Sequence, residues 1–314
     1  MKKTKKILEL AALAAAATGI IHILNKQIEH DSQKSNLLPL ACGHFYKWKF
    51  GNVYYTKLGS GQPLLLVHDA VPGSSGFEWS EVEKKLAKDH TVYVVDLPGC
   101  GRSAKPAIEY TNFLFVLFLR DFTENVIGEK TDVIASGLSS SFVIMAPRHE
   151  KELFKEITLV NPVDLRSLRR TLSFRGKLMK RILDFPVFGT LLYYMNVSRE
   201  TFSTLFMDKF YLNPFHTQKA ISYYYEASHK GGHRAKYFYS SLAANYMNLD
   251  ISRAVSETTI PVLIIEGESE EHAKDIVRSY QKLNPAITAA YVGKSKHFPQ
   301  LENASEFLKC VIHK

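Results

Sequence analysis

Short uninterrupted apolar runs recur along the chain, and each ends in a loop of small or polar residues. Runs of this length without polar alternation are typical of buried strands, and the longer segments between them are helix-like. The strands predicted in this way are 64–67, 91–95, 132–136, 157–160, 260–265 and 289–292. This pattern predicts an α/β protein.

A turn of small residues, Gly-Leu-Ser-Ser-Ser, follows the strand predicted at 132–136 and leads into a further apolar segment. Strand, tight turn and helix form the setting in which a serine becomes a nucleophile. The turn requires small residues two positions before and two positions after that serine. Ser139 meets this requirement, with Gly137 and Ser141 at those positions, whereas its neighbouring serines do not. The pattern favours Ser139 as a nucleophile, although serines here also suit a helix N-cap.

Two further candidate groups follow later strands. An acidic loop, Glu266–Glu271, comes after the strand predicted at 260–265, and His297 comes after the one at 289–292. In a parallel sheet such loops open on one edge, where ligands bind. A serine, an acid and a histidine that are distant in sequence are therefore expected to meet there.

With these motifs the chain resembles the α/β-hydrolase superfamily over residues 45–314. The matching pieces are Leu64–Asp69, Asp96–Ser103, the elbow at Ser139, and 297–303, where His is followed by an aromatic residue, Pro and Glu-Asn. The resemblance implies a mostly parallel, doubly wound sheet of about eight strands, with a helical cap inserted after strand 6.

The resemblance also implies roles for residues at the sheet edge. His297 would be the base and Glu270 the acid, with Asp164 as an alternative acid and Glu271 and Asp275 still open. The backbone N–H groups of Ser140 and Ala70 would form the oxyanion hole.

Two departures from the family pattern affect this site. Asp69 stands where glycine is usual, and a carboxylate beside a forming oxyanion is unfavourable unless it points away. An ungapped alignment also places Gly137, rather than Ser139, at the nucleophile position. Shifting the alignment by two residues places Ser139 at the nucleophile position.

The expected domain organisation has four parts. Residues 1–37 form an N-terminal anchor or signal segment and linker, 38–163 and 256–314 form the hydrolase core, and 164–255 form the cap. The cap is rich in aromatic residues, which favours an apolar acyl or aryl substrate.

Composition and short motifs limit the cofactors and partners that are expected for this chain. The chain has 314 residues, of which 46% are hydrophobic and 23% charged, as in ordinary globular proteins. Its three cysteines are widely spaced and predict neither a metal cluster nor a disulfide framework. No dinucleotide fingerprint or nucleic-acid motif accompanies the net charge of +9, so neither a cofactor nor a nucleic-acid partner is expected.

The N-terminus begins with Lys2, Lys3, Lys5 and Lys6 and continues into a mostly apolar run, Ile7–Leu24. Such a run suits an uncleaved membrane anchor with a cytoplasmic N-terminus, which would place the catalytic domain outside. A cleaved signal peptide with a site around Ala15–Ala17 and a soluble or interfacial helix are the alternatives, giving a secreted or a cytoplasmic protein.

The sequence thus predicts a serine hydrolase that acts on a small-molecule or lipid ester with an apolar acyl or aryl group. Halide and epoxide hydrolysis in this fold use an aspartate nucleophile, and none is expected here. The alternative is a membrane-tethered protein that binds without turnover. The sequence makes no prediction of oligomeric state.

Overall fold

An eight-stranded sheet forms the centre of the computed structural model, which describes residues 2–41, 43–148, 153–170, 172–214 and 217–312. The strands are β1 (His44–Trp48), β2 (Gly51–Leu58), β3 (Gln62–Val67), β4 (His90–Val95), β5 (Thr131–Ser136), β6 (Phe154–Val160), β7 (Val262–Gly267) and β8 (Thr288–Val292). Their spatial order is β1-β2-β4-β3-β5-β6-β7-β8. Both pairings of β2 are antiparallel and all others are parallel, which confirms the predicted mostly parallel sheet.

Helices surround this sheet. They are α1 (Lys2–Ser32), α2 (Glu83–Leu86), α3 (Asn112–Phe122), α4 (Ser139–Met145), α5 (Leu165–Leu168), α6 (Phe174–Asp184), α7 (Phe188–Asn196), α8 (Arg199–Leu205), α9 (Thr217–His229), α10 (Lys236–Ala243), α11 (Ser252–Glu257), α12 (Ala273–Leu283), α13 (Pro299–Glu302) and α14 (Ala304–Ile312). Short 3-10 segments lie at Gly76–Trp79, Ala146–Arg148 and Gly232–Ala235, and π-helical turns at Thr123–Ile127 and Phe206–Phe210.

The apolar core lies on both faces of the sheet. In β3, Leu65 and Val67 join one buried cluster, and Leu64 and Leu66 join the cluster on the opposite face. Side chains alternate between the faces of a strand, so a strand covered on both sides has no polar face. This is why the central strands are continuous apolar runs in the sequence.

The chain between β6 and β7 carries helices α5 to α11, and we call residues 165–257 the helical insertion. It lies where the cap is expected. An aromatic cluster of the insertion includes Phe206 and Tyr224 and packs against Phe298, which follows His297. The insertion therefore covers the edge of the sheet on which the candidate site lies.

Helix α1 exposes its first turns and contacts the helical insertion with its last ones. Asn25 Nδ2 donates to the Val187 carbonyl oxygen at 2.9 Å, and Gln33 Nε2 donates to that of Glu226 at 3.1 Å. Lys3–Ser32 has a mean hydropathy of 2.0 over its most apolar part, so by length and composition it is suited to crossing a membrane. A signal sequence passes the same test.

Candidate active site

Gly137 occupies the sharp turn between β5 and α4. Its φ is +54°, a left-handed conformation that favours glycine. A Cβ at this position would lie 2.1–2.3 Å from the carboxylate of Asp69. The elbow residue is therefore Gly137, and the space above it is filled by a side chain from the loop after β3.

That side chain is the carboxylate of Asp69, which is 3% exposed. Its Oδ1 accepts hydrogen bonds from the backbone N–H of Ala70 at 2.7 Å and of Leu138 at 2.8 Å. Two converging N–H groups beside the elbow are the arrangement that an oxyanion hole requires. In this protein they bind an oxygen of the protein's own carboxylate.

Two buried residues hold the Asp69 loop in place. His68 Nε2 accepts from the Leu97 N–H at 2.9 Å, so the ring proton is on Nδ1, which donates to the Asp69 carbonyl oxygen at 2.7 Å. Glu78 Oε2 accepts from the Asp69 N–H at 2.9 Å, and its Oε1 accepts from the Tyr224 hydroxyl at 2.6 Å. Burial raises the pKa of Glu78, while the hydrogen bonds from the Tyr224 hydroxyl and the Asp69 N–H oppose the shift. The loop is thus fixed from two sides.

His297 lies between two carboxylates. Its Nε2 is 3.4 Å from Asp69 Oδ2, and its Nδ1 is 3.8 Å from Glu270 Oε2, an ion-pair contact. Burial alone lowers the pKa of His297, but the facing carboxylates of Asp69 and Glu270 outweigh burial and raise that pKa to about 10. The imidazole is therefore positively charged near neutral pH. The Phe210 ring stacks on it with centroids 4.5 Å apart.

The loop that carries His297 is fastened to the ends of β6 and β7. Asn161 Nδ2 donates to the carbonyl oxygens of Lys296 at 3.0 Å and His297 at 2.7 Å, and Asn161 Oδ1 accepts from the Gly267 N–H at 2.9 Å. A Cβ at Gly267 would lie 1.9 Å from the Lys296 carbonyl oxygen. Only glycine lets the two segments approach this closely.

A second buried acid lies beneath Glu270. Both side-chain oxygens of Glu266 are buried without a hydrogen-bond partner, and burial together with the charge of Glu270 raises the pKa of Glu266 to about 9. Glu266 is therefore neutral near pH 7, and Glu270 is the carboxylate of this loop that faces His297.

The structure separates Ser139 from this cluster. Its hydroxyl is 0% exposed and donates to the His68 carbonyl oxygen at 2.7 Å, on the first turn of α4. The requirement for small neighbouring residues compares only the serines. It therefore does not test Gly137 as the central residue of the turn. The ungapped alignment, with Gly137 at the elbow, is the one that the structure has.

Of the other predicted site residues, some lie at the site and others do not. The Ala70 N–H lies in the predicted oxyanion hole, but the Ser140 N–H bonds to the Gly137 carbonyl oxygen, and Leu138 takes its place. Asp164 is the N-cap residue of α5, where its carboxylate accepts from the Ser167 N–H at 3.3 Å. Glu270 is the acid that the structure brings to His297.

Sequence reasoning overlooked Asp69 as a reactive group. The signal available in the sequence was a pair of linked departures from the family pattern. Asp69 adds a carboxylate where glycine is usual, and Gly137 has no side chain where the nucleophile is usual. Within the described residues, no group of three or more His, Cys, Asp or Glu side chains is arranged to hold a metal ion.

Comparisons with known proteins agree with this architecture. A 2-hydroxy-6-oxo-6-(2'-aminophenyl)hexa-2,4-dienoic acid hydrolase of Metapseudomonas resinovorans is 28% identical over 113 residues, which cover 35% of this chain and only 39% of that protein. A proline iminopeptidase of Heyndrickxia coagulans is 23% identical over 295 residues, covering 83% of this chain and 94% of that protein.

A solved structure of the epoxide hydrolase CorEH has a TM-score of 0.66 at 22% identity, covering 86% of this chain and 97% of that one, and shows the same fold. These relatives are hydrolases. The model of the alpha/beta hydrolase family matches residues 64–309, which is most of the chain. The protein therefore belongs to the α/β hydrolase family.

Proposed function

We propose that this protein is a hydrolase in which Asp69 is the nucleophile, His297 the proton carrier and Glu270 the acid that orients it. The observation that carries the proposal is the position of the Asp69 carboxylate. One oxygen is bound by the N–H groups of Ala70 and Leu138, and the other faces His297. A carboxylate held in this way has one oxygen fixed and one directed at a substrate.

The charge of His297 suits such a reaction. In the first step Asp69 Oδ2 attacks an alkyl carbon, the carbon–oxygen bond to the leaving group breaks, and the imidazolium of His297 gives its proton to the leaving oxygen. The covalent ester on Asp69 is neutral. With one negative charge gone, the pKa of His297 falls, and the ring becomes a base.

In the second step His297 takes a proton from water, and the resulting hydroxide attacks Asp69 Cγ. The charge that develops on Oδ1 is stabilised by the N–H groups of Ala70 and Leu138. On collapse the imidazolium of His297 gives its proton to the departing alkoxide, which releases the alcohol. The carboxyl group of Asp69 then passes its proton to His297, which restores the carboxylate and the imidazolium. The net change is the addition of one water to the substrate.

An epoxide with an apolar body is the substrate class that fits best. Its leaving oxygen needs a proton, which an imidazolium supplies and which a halide would not require. The ring of Phe210 lies against His297, and Phe298 lies edge-on to it, so the surroundings are aromatic. The sequence predicts no aspartate nucleophile, and the proposal departs from that prediction because Asp69, from the loop after β3, lies over the elbow at Gly137.

Isotope labelling tests the nucleophile directly. Turnover of a panel of aryl and alkyl epoxides in H₂¹⁸O should place ¹⁸O in the Asp69 carboxylate, since water attacks Cγ, and peptide mass spectrometry locates the label. Asp69→Asn should abolish turnover, whereas Ser139→Ala should retain it. Epoxide turnover with label only in the diol would contradict the proposal.

Ester hydrolysis through Ser139, His297 and Glu270 is the competing mechanism from the sequence. It requires the Ser139 hydroxyl to leave its hydrogen bond with His68 and reach His297. A fluorophosphonate probe and short p-nitrophenyl esters test it. Labelling that maps to Ser139 and is lost in Ser139→Ala would favour the serine mechanism over ours.

A membrane-tethered binding protein is a second candidate function. The stacked Phe210 ring favours it, because that ring and the bond from the His297 N–H to the Phe210 carbonyl oxygen close one side of the site. Folded wild-type protein that turns over neither epoxides nor esters, and incorporates no ¹⁸O, would support this function.

For location we propose a single-pass membrane protein with α1 as an uncleaved anchor and the catalytic domain outside the cytoplasm. Its supports are the four lysines before the apolar run and the packing of the end of α1 on the helical insertion. Intact protein should stay with membranes after a high-salt wash. Recovery of unprocessed protein in the soluble fraction would contradict the anchor.

A further inference from the structure

A cavity of about 280 Å³ lies between α1 and the helical insertion, and it shares no lining residue with the Asp69–His297 site. This volume approaches the lower limit of ordinary ligand pockets, roughly 300 Å³. Polar side chains that line it are His22, Asn25, Lys26 and Glu29 of α1 and Thr190, Tyr194, His233, Lys236 and Tyr237 of the insertion. The cavity is therefore small, has polar groups set in a mainly apolar lining, and is built from two separate parts of the chain.

Two of these side chains have polar atoms that the protein leaves unpaired. Asn25 Oδ1 and the Tyr194 hydroxyl are buried without a hydrogen-bond partner, in residues that are only 6% and 3% exposed. Buried polar groups are nearly always paired, so an unpaired acceptor and donor at one cavity indicate a missing partner. That partner must itself carry both an acceptor and a donor.

The cavity also contains a buried lysine whose hydrogen bonds go to neutral acceptors. Lys236 is 1% exposed, and its Nζ donates to two neutral acceptors, the Phe185 carbonyl oxygen at 2.9 Å and Thr190 Oγ1 at 3.3 Å. Within the described part of the chain no carboxylate forms an ion pair with it. Glu29, which also lines the cavity, is paired with Lys26 at 3.0 Å. An anionic group would complete this arrangement.

The position of the cavity identifies the kind of anion. His22, Asn25 and Lys26 lie at the end of the apolar run 7–24, and polar residues there are at head-group depth when such a helix spans a bilayer. Phe185 and Phe188, which flank the lining residues Pro186 and Val187, are exposed large apolar side chains. A ligand with a polar head and an apolar tail matches both features.

We propose that this cavity binds the head group of an anionic phospholipid whose phosphate is esterified to a hydroxyl-bearing group, as in phosphatidylglycerol. The phosphate accepts from Lys236 Nζ and the Tyr194 hydroxyl, and a head-group hydroxyl donates to Asn25 Oδ1. The acyl chains lie along the apolar part of α1, against Phe185 and Phe188. The lipid thus joins the anchor to the helical insertion.

Native mass spectrometry of the full chain, released from nanodiscs that contain phosphatidylcholine and phosphatidylglycerol, tests the proposal. Wild-type protein should retain one phosphatidylglycerol in preference to phosphatidylcholine. Lys236→Met and Tyr194→Phe should each reduce that retention by about tenfold, as expected for the loss of a hydrogen bond to a charged group. Lys219→Met is the matched control, since this lysine pairs with Glu81 at the surface, and retention should not change.

The Tyr194→Phe variant separates lipid binding from folding. The Tyr194 hydroxyl has no hydrogen-bond partner within the described protein, so its removal should not lower the thermal midpoint in detergent. Equal retention of the two lipids by wild-type protein, or wild-type retention by Tyr194→Phe, would overturn the proposal. Displacement of the lipid by an equimolar amount of sn-glycerol 1-phosphate would show that a soluble phosphate ester is the ligand, and would overturn the assignment to a lipid.

Discussion

The carboxylate of Asp69 fills the space that a side chain at Gly137 would need. The two positions are 68 residues apart in sequence, yet a Cβ at Gly137 would lie 2.1 Å from Asp69 Cγ. The aspartate and the glycine therefore depend on each other: the carboxylate enters the oxyanion hole because the elbow has no side chain.

This dependence predicts the stability of variants at the elbow. Gly137→Ala should lower the free energy of unfolding by about 2–4 kcal/mol, because the new methyl group meets the carboxylate and the backbone has positive φ. Asp69→Gly/Gly137→Ala should recover at least about 1 kcal/mol of this loss, since the steric conflict is gone. Urea denaturation of the four proteins in the cycle measures the coupling. Strictly additive effects would show that the two positions are independent.

A related exchange should move the nucleophile back to the elbow. Asp69→Gly/Gly137→Ser vacates the oxyanion hole and places a hydroxyl at the position that the carboxylate occupies, next to His297. We expect this variant to react with a fluorophosphonate probe and to hydrolyse p-nitrophenyl esters. Asp69→Gly alone is the control and should do neither. A label found on Ser139 in either protein would contradict our assignment of the elbow.

The charge on His297 makes part of the stability depend on pH. Its pKa rises from 6.5 to about 10 on folding, so its stabilising contribution is complete below pH 6.5 and is lost as the pH rises toward about 10. Asp69→Asn and Glu270→Gln should each lower this pKa, because each removes a facing negative charge. NMR titration of the imidazole measures the shift. A wild-type pKa near 6.5 would contradict the ion-pair arrangement.

Glu78 should be important because it holds the Asp69 loop in place. Glu78→Ala leaves the Asp69 N–H, the Ser136 hydroxyl and the Tyr224 hydroxyl without their buried acceptor. Each such loss costs about 1–3 kcal/mol, so we expect a large drop in the unfolding free energy and, in surviving protein, reduced turnover. Glu81→Ala is the matched control, because Glu81 is exposed and pairs with Lys219. Similar losses in both variants would refute a specific role for Glu78.

Much of the fold could be predicted because its central strands are buried on both faces. The six apolar runs correspond to β3 through β8 with shifts of one to three residues at their ends. Strands β1 and β2 received no individual prediction. They pair antiparallel at the edge of the sheet and mix aromatic with polar residues, as in Gly51–Leu58, so they lack the continuous apolar signal.

The site was harder to predict than the fold, because its chemistry depends on which residue lies at the centre of the turn between β5 and α4. The sequence predicts that His297 and Glu270 lie in loops that follow strands, and in the structure the two side chains contact each other. It could not show that Asp69 folds back over Gly137, because that contact depends on the φ of one glycine and on the bonds of Glu78 and His68. Local patterns do not record contacts of this kind.

The end of α1 determines how far the enzyme can reach. Glu226 accepts hydrogen bonds from the N–H groups of Leu37 and Leu38, and Gln33 donates to the carbonyl oxygen of the same residue. A disordered linker would let a tethered domain move through a large volume of solution around its anchor. If α1 lies in a bilayer, as we propose, these hydrogen bonds would hold the domain close to the membrane, and lateral diffusion would become its main search. Substrates dissolved in the membrane, or concentrated at its surface, would then reach the site more often than those in bulk water.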